Sequence, residues 1–198
     1  MRYKIRRGKD GRVAIFDENG NMISPEWFDE IWEDGLVKGE SNLYLAKKDG
    51  KWAIFDKDGN RITGWFDEIR PDGLVKGQSN YYIAKEGEKW AIFDKDGNQI
   101  TQWFDGVSLY GLVRGESEYY IAKKDEKYAI FDIDGNRITD WFDEIRKDGL
   151  VEGESKYYIA KKNGKEAIFD VNGEQISEWF DDIKEDGLVK GQSPYYIA

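Results

Sequence analysis

Cysteine and histidine are both absent from this 198-residue chain, and proline occurs three times. Without cysteine there is no disulfide framework, no thiol nucleophile and no thiolate-bound metal centre. Without histidine the commonest general base is missing, together with every Ser-His or Cys-His pair and the commonest transition-metal ligand. Long apolar runs are missing too, so no membrane span is expected. The opening residues Met1 to Arg7 lead into Gly8-Lys9-Asp10 and not into an apolar signal core. A cysteine-free chain of this kind fits a reducing compartment, and a cytoplasmic setting is the expectation.

Positive charge is also in short supply. Lys and Arg number 30 against 40 Asp and Glu, a formal net charge of −10. A phosphate backbone needs a basic stripe, so nucleic acid is not expected as a partner. The local exception is the first 13 residues, where Arg2, Lys4, Arg6, Arg7, Lys9 and Arg12 face only Asp10. A small basic strand on an acidic body reads as an electrostatic end-piece.

Aromatic side chains are what the chain has in abundance: 8 Trp, 12 Tyr and 10 Phe, or 15% of residues. Disordered chains are poor in such residues, and each buried ring removes roughly 150–250 Å² from water. A folded chain follows.

The aromatics recur with a period. Ala-Ile-Phe-Asp begins at Ala14, Ala53, Ala91, Ala129 and Ala167, and Trp-Phe-Asp at Trp27, Trp65, Trp103, Trp141 and Trp179. Gly-Leu-Val begins at Gly35, Gly73, Gly111, Gly149 and Gly187. An apolar tetrapeptide, Tyr-Tyr-Ile-Ala in four copies, begins at Leu43, Tyr81, Tyr119, Tyr157 and Tyr195. These are five copies of a 38-residue unit; the first carries one extra residue near Ser24-Pro25-Glu26. Asx-Gly pairs such as Asp58-Gly59 separate β-type runs and mark hairpins. No window holds a helical apolar stripe.

Each copy therefore predicts a four-stranded meander: Lys-Trp-Ala-Ile-Phe, Ile-Thr-x-Trp-Phe-Asp-x-Ile, Gly-Leu-Val and Tyr-Tyr-Ile-Ala. Ile62 and Phe66 point to one face while Trp65 and Ile69 point to the other, so both faces must be covered by stacking units. The fold class is all-β. A five-bladed β-propeller is the leading architecture, with an open stacked β-solenoid as the alternative. An open stack needs polar caps, and the last copy keeps its apolar signature through Tyr195-Tyr196-Ile197-Ala198, which favours closure. The expected organisation is one repeat domain over 1–198. It comprises an N-terminal strand at 2–7 and repeats at about 8–46, 47–84, 85–122, 123–160 and 161–198. That N-terminal strand is a twenty-first, one more than five four-stranded blades require.

At Lys51-Trp52-Ala53-Ile54-Phe55-Asp56-Lys57-Asp58-Gly59-Asn60, and again from Lys89, the chain resembles the WG-repeat (KWG-repeat) family of bacterial proteins. Units of that family carry a Lys-Trp-Gly-aromatic-Ile-Asp core followed by an aromatic-Asp pair and a Gly-Leu segment, and the likeness runs through the whole chain. Two features depart from it. The Gly after Trp is Ala in every copy, and the Trp becomes Val13, Tyr128 and Glu166 in three. The resemblance implies a binding module. A weaker likeness, to choline- and glucan-binding repeats through Asp58 to Trp65, reflects shared hairpin chemistry.

The candidate chemistry is sparse. Gly-x-Ser occurs at Ser41, Ser79, Ser117, Ser155 and Ser193 without a base or a complete nucleophile elbow, so these serines read as turn residues. Asp-x-Asp-Gly-Asn at Asp56, Asp94 and Asp132 invites a calcium reading. However, only two acids precede the glycine in a tight hairpin, so hairpin chemistry is the expectation, with a weak divalent-ion site as the alternative. The recurring Asp29, Asp67, Asp105, Asp143 and Asp181 read as caps for backbone N–H groups, with a cation-holding ring as the alternative.

Residues that the unit needs recur in every copy, so a site particular to this protein belongs where copies differ. The clearest such position follows Trp-Phe-Asp-x-Ile/Val: Trp32, Arg70, Ser108, Arg146 and Lys184. It opens a turn and carries residue types typical of binding hot spots. The residue before Ala-Ile-Phe-Asp varies as well, as Val13, Trp52, Trp90, Tyr128 and Glu166. Drift on a solvated turn accounts for the same variation. The functional expectation is a non-enzymatic, monomeric scaffold that binds a protein or a small polar ligand, with no cofactor. The alternatives are a purely structural or engineered repeat without a ligand, and a carbohydrate-binding module using exposed aromatics. An enzyme working through carboxylates alone would need a singular acid at a pocket, and none stands out in one copy.

Overall fold

The computed structural model describes residues 2–198, and among them it contains strands, turns and no helix. The chain divides into two compact units, Met1–Gln99 and Ile100–Ala198.

The first unit holds β1 (Lys4–Arg7), β2 (Val13–Phe16), β3 (Glu30–Ile31), β4 (Leu43–Lys48), β5 (Lys51–Asp56), β6 (Glu68–Ile69), β7 (Tyr81–Glu86) and β8 (Lys89–Asp94). They form the antiparallel sheets β1-β2, β3-β4-β5 and β6-β7-β8. The second unit holds β9 (Gly106–Val107), β10 (Tyr119–Lys124), β11 (Lys127–Asp132), β12 (Glu144–Ile145), β13 (Tyr157–Lys162) and β14 (Lys165–Asp170), in sheets β9-β10-β11 and β12-β13-β14. The all-β class and the repetition of small antiparallel sheets stand as the sequence predicts. Such sheets are the units from which β-propellers are built.

The centre of each complete sheet is a hairpin that crosses the sequence-repeat boundary. Strand β4 ends one copy and β5 begins the next. They are joined by Asp49-Gly50, with φ of 51° and 79°, the two left-handed residues of a tight twisted turn. This geometry gives the N-terminal strand its place. In β1-β2, Ile5 faces Ile15 as Leu45 faces Ile54 in β4-β5. Strand β1 thus supplies the partner that every later Ala-Ile-Phe strand takes from the copy before it.

Two of the four predicted strands differ from expectation. Gly-Leu-Val is a turn. Gly35 sits at φ 81°, and Lys38, Gly39 and Glu40 donate their N–H groups to the Glu33, Leu36 and Gly35 carbonyls. Its apolar residues go to the core all the same, with Leu36 at 2% and Val75 at 0% exposure. A short apolar run is buried here by a turn and not by a strand, a distinction that hydrophobicity alone does not draw.

The Ile-Thr-x-Trp-Phe-Asp-x-Ile segment is shared between two sheets. Its first half follows β5: Ile62 N–H donates to the Ile54 carbonyl, and Phe66 and Trp52 exchange both backbone hydrogen bonds. Its second half leaves for the next sheet, where β6 pairs with β7. One extended segment fastens consecutive sheets together.

Both faces are covered, as the double-sided apolar pattern requires. Neighbouring Tyr44 and Leu45 point to opposite faces and are both fully buried. Three of the Ala-Ile-Phe phenylalanines, Phe55, Phe131 and Phe169, each gather three rings. Phe55 stacks on Tyr44 (5.5 Å between centroids, 16°) and meets Phe28 at 5.1 Å and Trp65 at 5.9 Å. Phe131 repeats the arrangement with Tyr120, Phe104 and Trp141. Such pairs add about 0.5–1.5 kcal/mol each beyond area burial.

Candidate functional site

The recurring polar residues are engaged by the frame. In the Asp-x-Asp-Gly-Asn turns, Asp94 Oδ1 accepts the Asp96 and Asn98 backbone N–H groups, and Oδ2 accepts Asn98 Nδ2. The Asn98 side-chain bond, with the backbone donors, holds the Asp94 carboxyl below its ordinary pKa against the opposing effect of burial. Asp17 is lowered in the same way, chiefly by Asn21. These carboxylates close their own turns, the hairpin reading of the motif.

The Trp-Phe-Asp carboxylates cap hairpins. Asp29, Asp67, Asp105 and Asp143 accept the backbone N–H groups of Asp49, Gly87, Asp125 and Asn163 at 2.7–2.8 Å. Asp181 instead pairs with Lys165. Three further acids, Asp148, Glu152 and Glu154, lie close enough together to suggest a cation. Each has a partner: Lys190 at 3.8 Å, Lys147 at 2.6 Å and the Gly149 N–H at 2.9 Å.

The variable positions behave differently. The sequence offers Trp32, Arg70, Ser108, Arg146 and Lys184 as one series and the residue before Ala-Ile-Phe-Asp as another. The structure joins the two into pairs that are 20 residues apart. The indole of Trp32 meets Trp52 edge-on at 5.6 Å. The Arg70 guanidinium lies 5.1 Å above the Trp90 ring, and its Nε is 3.1 Å from Glu68. Arg146 Nη2 donates to both oxygens of Glu166 at 2.9 Å. Lys184 stands apart from the series and pairs with Asp182 at 2.6 Å.

Sheet geometry brings the partners together. Glu68 faces Lys85 across β6-β7, and Lys85 faces Trp90 across β7-β8. The residue after β6 therefore overhangs the first turn of the following hairpin strand.

The pair Ser108 and Tyr128 is the exception. A serine cannot cover a tyrosine ring as Trp32 or Arg70 covers an indole. Both residues line an open groove of about 440 Å³, with Tyr110, Ile121, Glu144 and Arg146 among its walls. The third copy is altered around this point. Gly106 stands where other copies have Glu30, Glu68, Glu144 or Asp182, and Tyr110 where they have Asp34, Asp72, Asp148 or Asp186. Tyr110 is held between two cations, with Arg114 and Lys147 each 4.4 Å from its ring centre. In other copies the equivalent aspartate pairs with a lysine, as Asp34 does with Lys38 at 2.9 Å. Single-column comparison does not show Gly106 and Tyr110. The signal that finds them is the clustering of departures between 106 and 110.

A larger hollow of about 720 Å³ lies beside Pro25, Glu26 and Trp65, where the first copy has its extra residue. Its lysines are spoken for: Lys48 binds Glu26 at 2.6 Å and Lys51 binds Asp67 at 2.8 Å.

No family model matches the chain, and no curated protein is significantly similar to it. Among solved structures it is similar to Kluyveromyces lactis Hsv2 at 12% identity and a TM-score of 0.45, over 88% of this chain and 62% of that one. It is similar to BamB from Moraxella catarrhalis at 12% identity and a TM-score of 0.42, over 92% and 59% of the two chains. A eukaryotic initiation factor aligns at 10% identity and a TM-score of 0.49, over 92% and 53%. The chain thus spans between 53% and 62% of the length of these structures.

Proposed function

We propose that the chain is a non-enzymatic repeat scaffold that binds a partner protein, and that the groove at Ser108 and Tyr128 is the place of contact. One observation carries this reading: the frame is kept in every copy, while the third copy replaces its covering residue with serine and leaves a hollow lined by two tyrosines. A groove with aromatic walls and a few polar groups is the usual form of a recognition site. Catalysis has little to work with, since the chain has no histidine or cysteine and its recurring serines and aspartates close turns. Kinship with WG-repeat proteins and a five-bladed arrangement of the sheets belong to the same proposal.

The test is selection from a displayed peptide library on the whole chain, beside a Ser108→Trp variant that fills the groove as Trp32 fills its own site. Peptides enriched on the parent and lost on the variant support the reading. No enrichment, or enrichment that survives filling, removes it.

A further inference from the structure

The groove has a filled counterpart in the same molecule. At the second copy the corresponding place is occupied from within by Arg70, whose guanidinium covers Trp90 at 5.1 Å and whose Nε sits 3.1 Å from Glu68. The third copy keeps the ring, as Tyr128. It keeps the counterpart of Lys85, since Lys123 lies 5.8 Å from the Tyr128 ring centre as Lys85 lies 5.7 Å from that of Trp90, but gives up the guanidinium, through Ser108, and its own acid, through Gly106.

An acid nonetheless reaches the groove, from the following copy. Glu144 on β12 lines it and is exposed, and its carboxylate makes no hydrogen bond or ion pair among the described residues. The neighbouring charges are neutralised within the protein. Arg146 is held by Glu166, Glu185 and Asp182, Lys147 by Glu152, and Asp148 by Lys190. What remains is a tyrosine ring that carries Lys123 alone, 5.8 Å from its centre, and one carboxylate opposite Lys161 that forms no ion pair among the described residues, on a chain with a net charge of −10.

Resting on the scaffold reading above, we infer that this groove receives a guanidinium group, the side chain of an arginine presented by a partner protein. The incoming group takes the place that Arg70 fills in the second copy, flat against Tyr128 with Glu144 as its counter-ion. A planar guanidinium stacks on an aromatic face and pairs with a carboxylate at the same time, which a compact ammonium does less well. The Trp32–Trp52 pair shows that an aromatic ring also fits this position in the fold. The uncompensated Glu144 favours the cation here, because burying an unpaired carboxylate against an aromatic partner is costly.

The experiment is a ¹H–¹⁵N NMR titration of the whole chain with capped Gly-Arg-Gly, Gly-Lys-Gly and Gly-Phe-Gly peptides. Saturable shifts at Ser108, Tyr128 and Glu144 are expected with the arginine peptide, well ahead of the other two. Glu144→Gln should weaken that response roughly fivefold or more, by loss of a charge-assisted contact. Ser108→Arg should abolish it, because the new guanidinium occupies the site, while leaving the melting temperature no lower than the parent's. Equal responses to arginine and lysine, a preference for phenylalanine, or binding unchanged in both variants would overturn the assignment. Library selection separates the two levels of the proposal. Groove-dependent peptides lacking arginine leave the scaffold reading standing and remove this one, whereas an absence of groove-dependent peptides removes both.

Discussion

Arg146 and Glu166 form a closed ionic clamp at a position where other copies place an aromatic. Both carboxylate oxygens of Glu166 accept from Nη2 at 2.9 Å, and Nη1 reaches the Ile183 carbonyl at 2.9 Å. Ile183 N–H in turn donates to Glu166 at 2.9 Å. Glu166 is only 6% exposed, so it depends on this arrangement. Arg146→Met is expected to cost about 2–4 kcal/mol, because it leaves a buried carboxylate without its cation. Glu166→Trp, with Arg146 kept, rebuilds the Arg70–Trp90 stack and should cost less, about 1–2 kcal/mol, for the Ile183 N–H that loses its acceptor. Urea denaturation of the two variants decides the point; equal losses would mean that the two residues are not a coupled pair.

Three of the Gly-x-Ser serines, Ser41, Ser117 and Ser155, act as staples between copies. Ser117 Oγ accepts the Tyr119 N–H at 3.1 Å and donates to the Val151 carbonyl at 2.6 Å, 34 residues further on. Ser41 does the same with Val75. Among the described residues the Ser193 hydroxyl makes only local bonds, to Tyr195. Ser117→Ala leaves the carbonyl of a fully buried valine without its hydroxyl donor and should lower stability by about 1–2 kcal/mol. Ser193→Ala should stay within about 0.5 kcal/mol of the parent. Similar losses at both sites, read from denaturation midpoints, would contradict the staple.

Two glycines with nearly the same backbone separate strain from crowding. Gly111 has φ 77°, and a Cβ placed on it would lie 2.2 Å from the Tyr119 carbonyl oxygen. Gly135 has φ 82° with nothing within 4 Å. Gly135→Ala should cost about 1 kcal/mol, from the left-handed backbone alone. Gly111→Ala must also displace a carbonyl that accepts the Leu112 N–H, and should cost about 3 kcal/mol or more. Circular dichroism melts measure both, and equal shifts would refute the crowding argument.

The parts of the fold that depend on local chemistry were legible in the sequence. Short continuous runs of aromatic and β-branched residues announced the Tyr-Tyr-Ile-Ala and Lys-Trp-Ala-Ile-Phe strands, and Asx-Gly marked turns between β-type runs. The Trp-Phe-Asp carboxylate is a backbone cap, as expected, in four copies, and in the fifth Asp181 pairs with Lys165. Gly-Leu-Val misled because a buried turn and a buried strand share one composition, and only the positive φ of the glycine tells them apart. The candidate site was half visible. Both variable positions could be found from sequence, but their pairing depends on a hairpin strand lying between them. Ser108 stood in the candidate series with no sign that set it apart from its equivalents, and only the structure shows that its small size leaves Tyr128 bordering an open groove.

The aspartate turns give the molecule a defined response to acid. In the folded chain Asp94 titrates below its ordinary value, chiefly because Asn98 donates to it, and Asp170 does so chiefly through the Glu174 backbone N–H. A carboxyl whose folded pKa is depressed stabilises the protein above the unfolded value, about 3.9 for aspartate. That contribution is lost as pH falls through the lower folded value, when the protonated group no longer accepts as a charged partner. The urea midpoint should therefore hold steady from pH 7 to 5 and fall below about pH 4. Asn98→Ala should move the Asp94 carboxyl back toward the ordinary range and make the acid limb shallower. Carbon-13 titration of the side-chain carboxyls follows the first effect, and denaturation at stepped pH follows the second. A midpoint that rises on acidification, or an Asp94 that titrates as a free aspartate in the parent, would show that these turns do not hold their carboxylates as the geometry indicates.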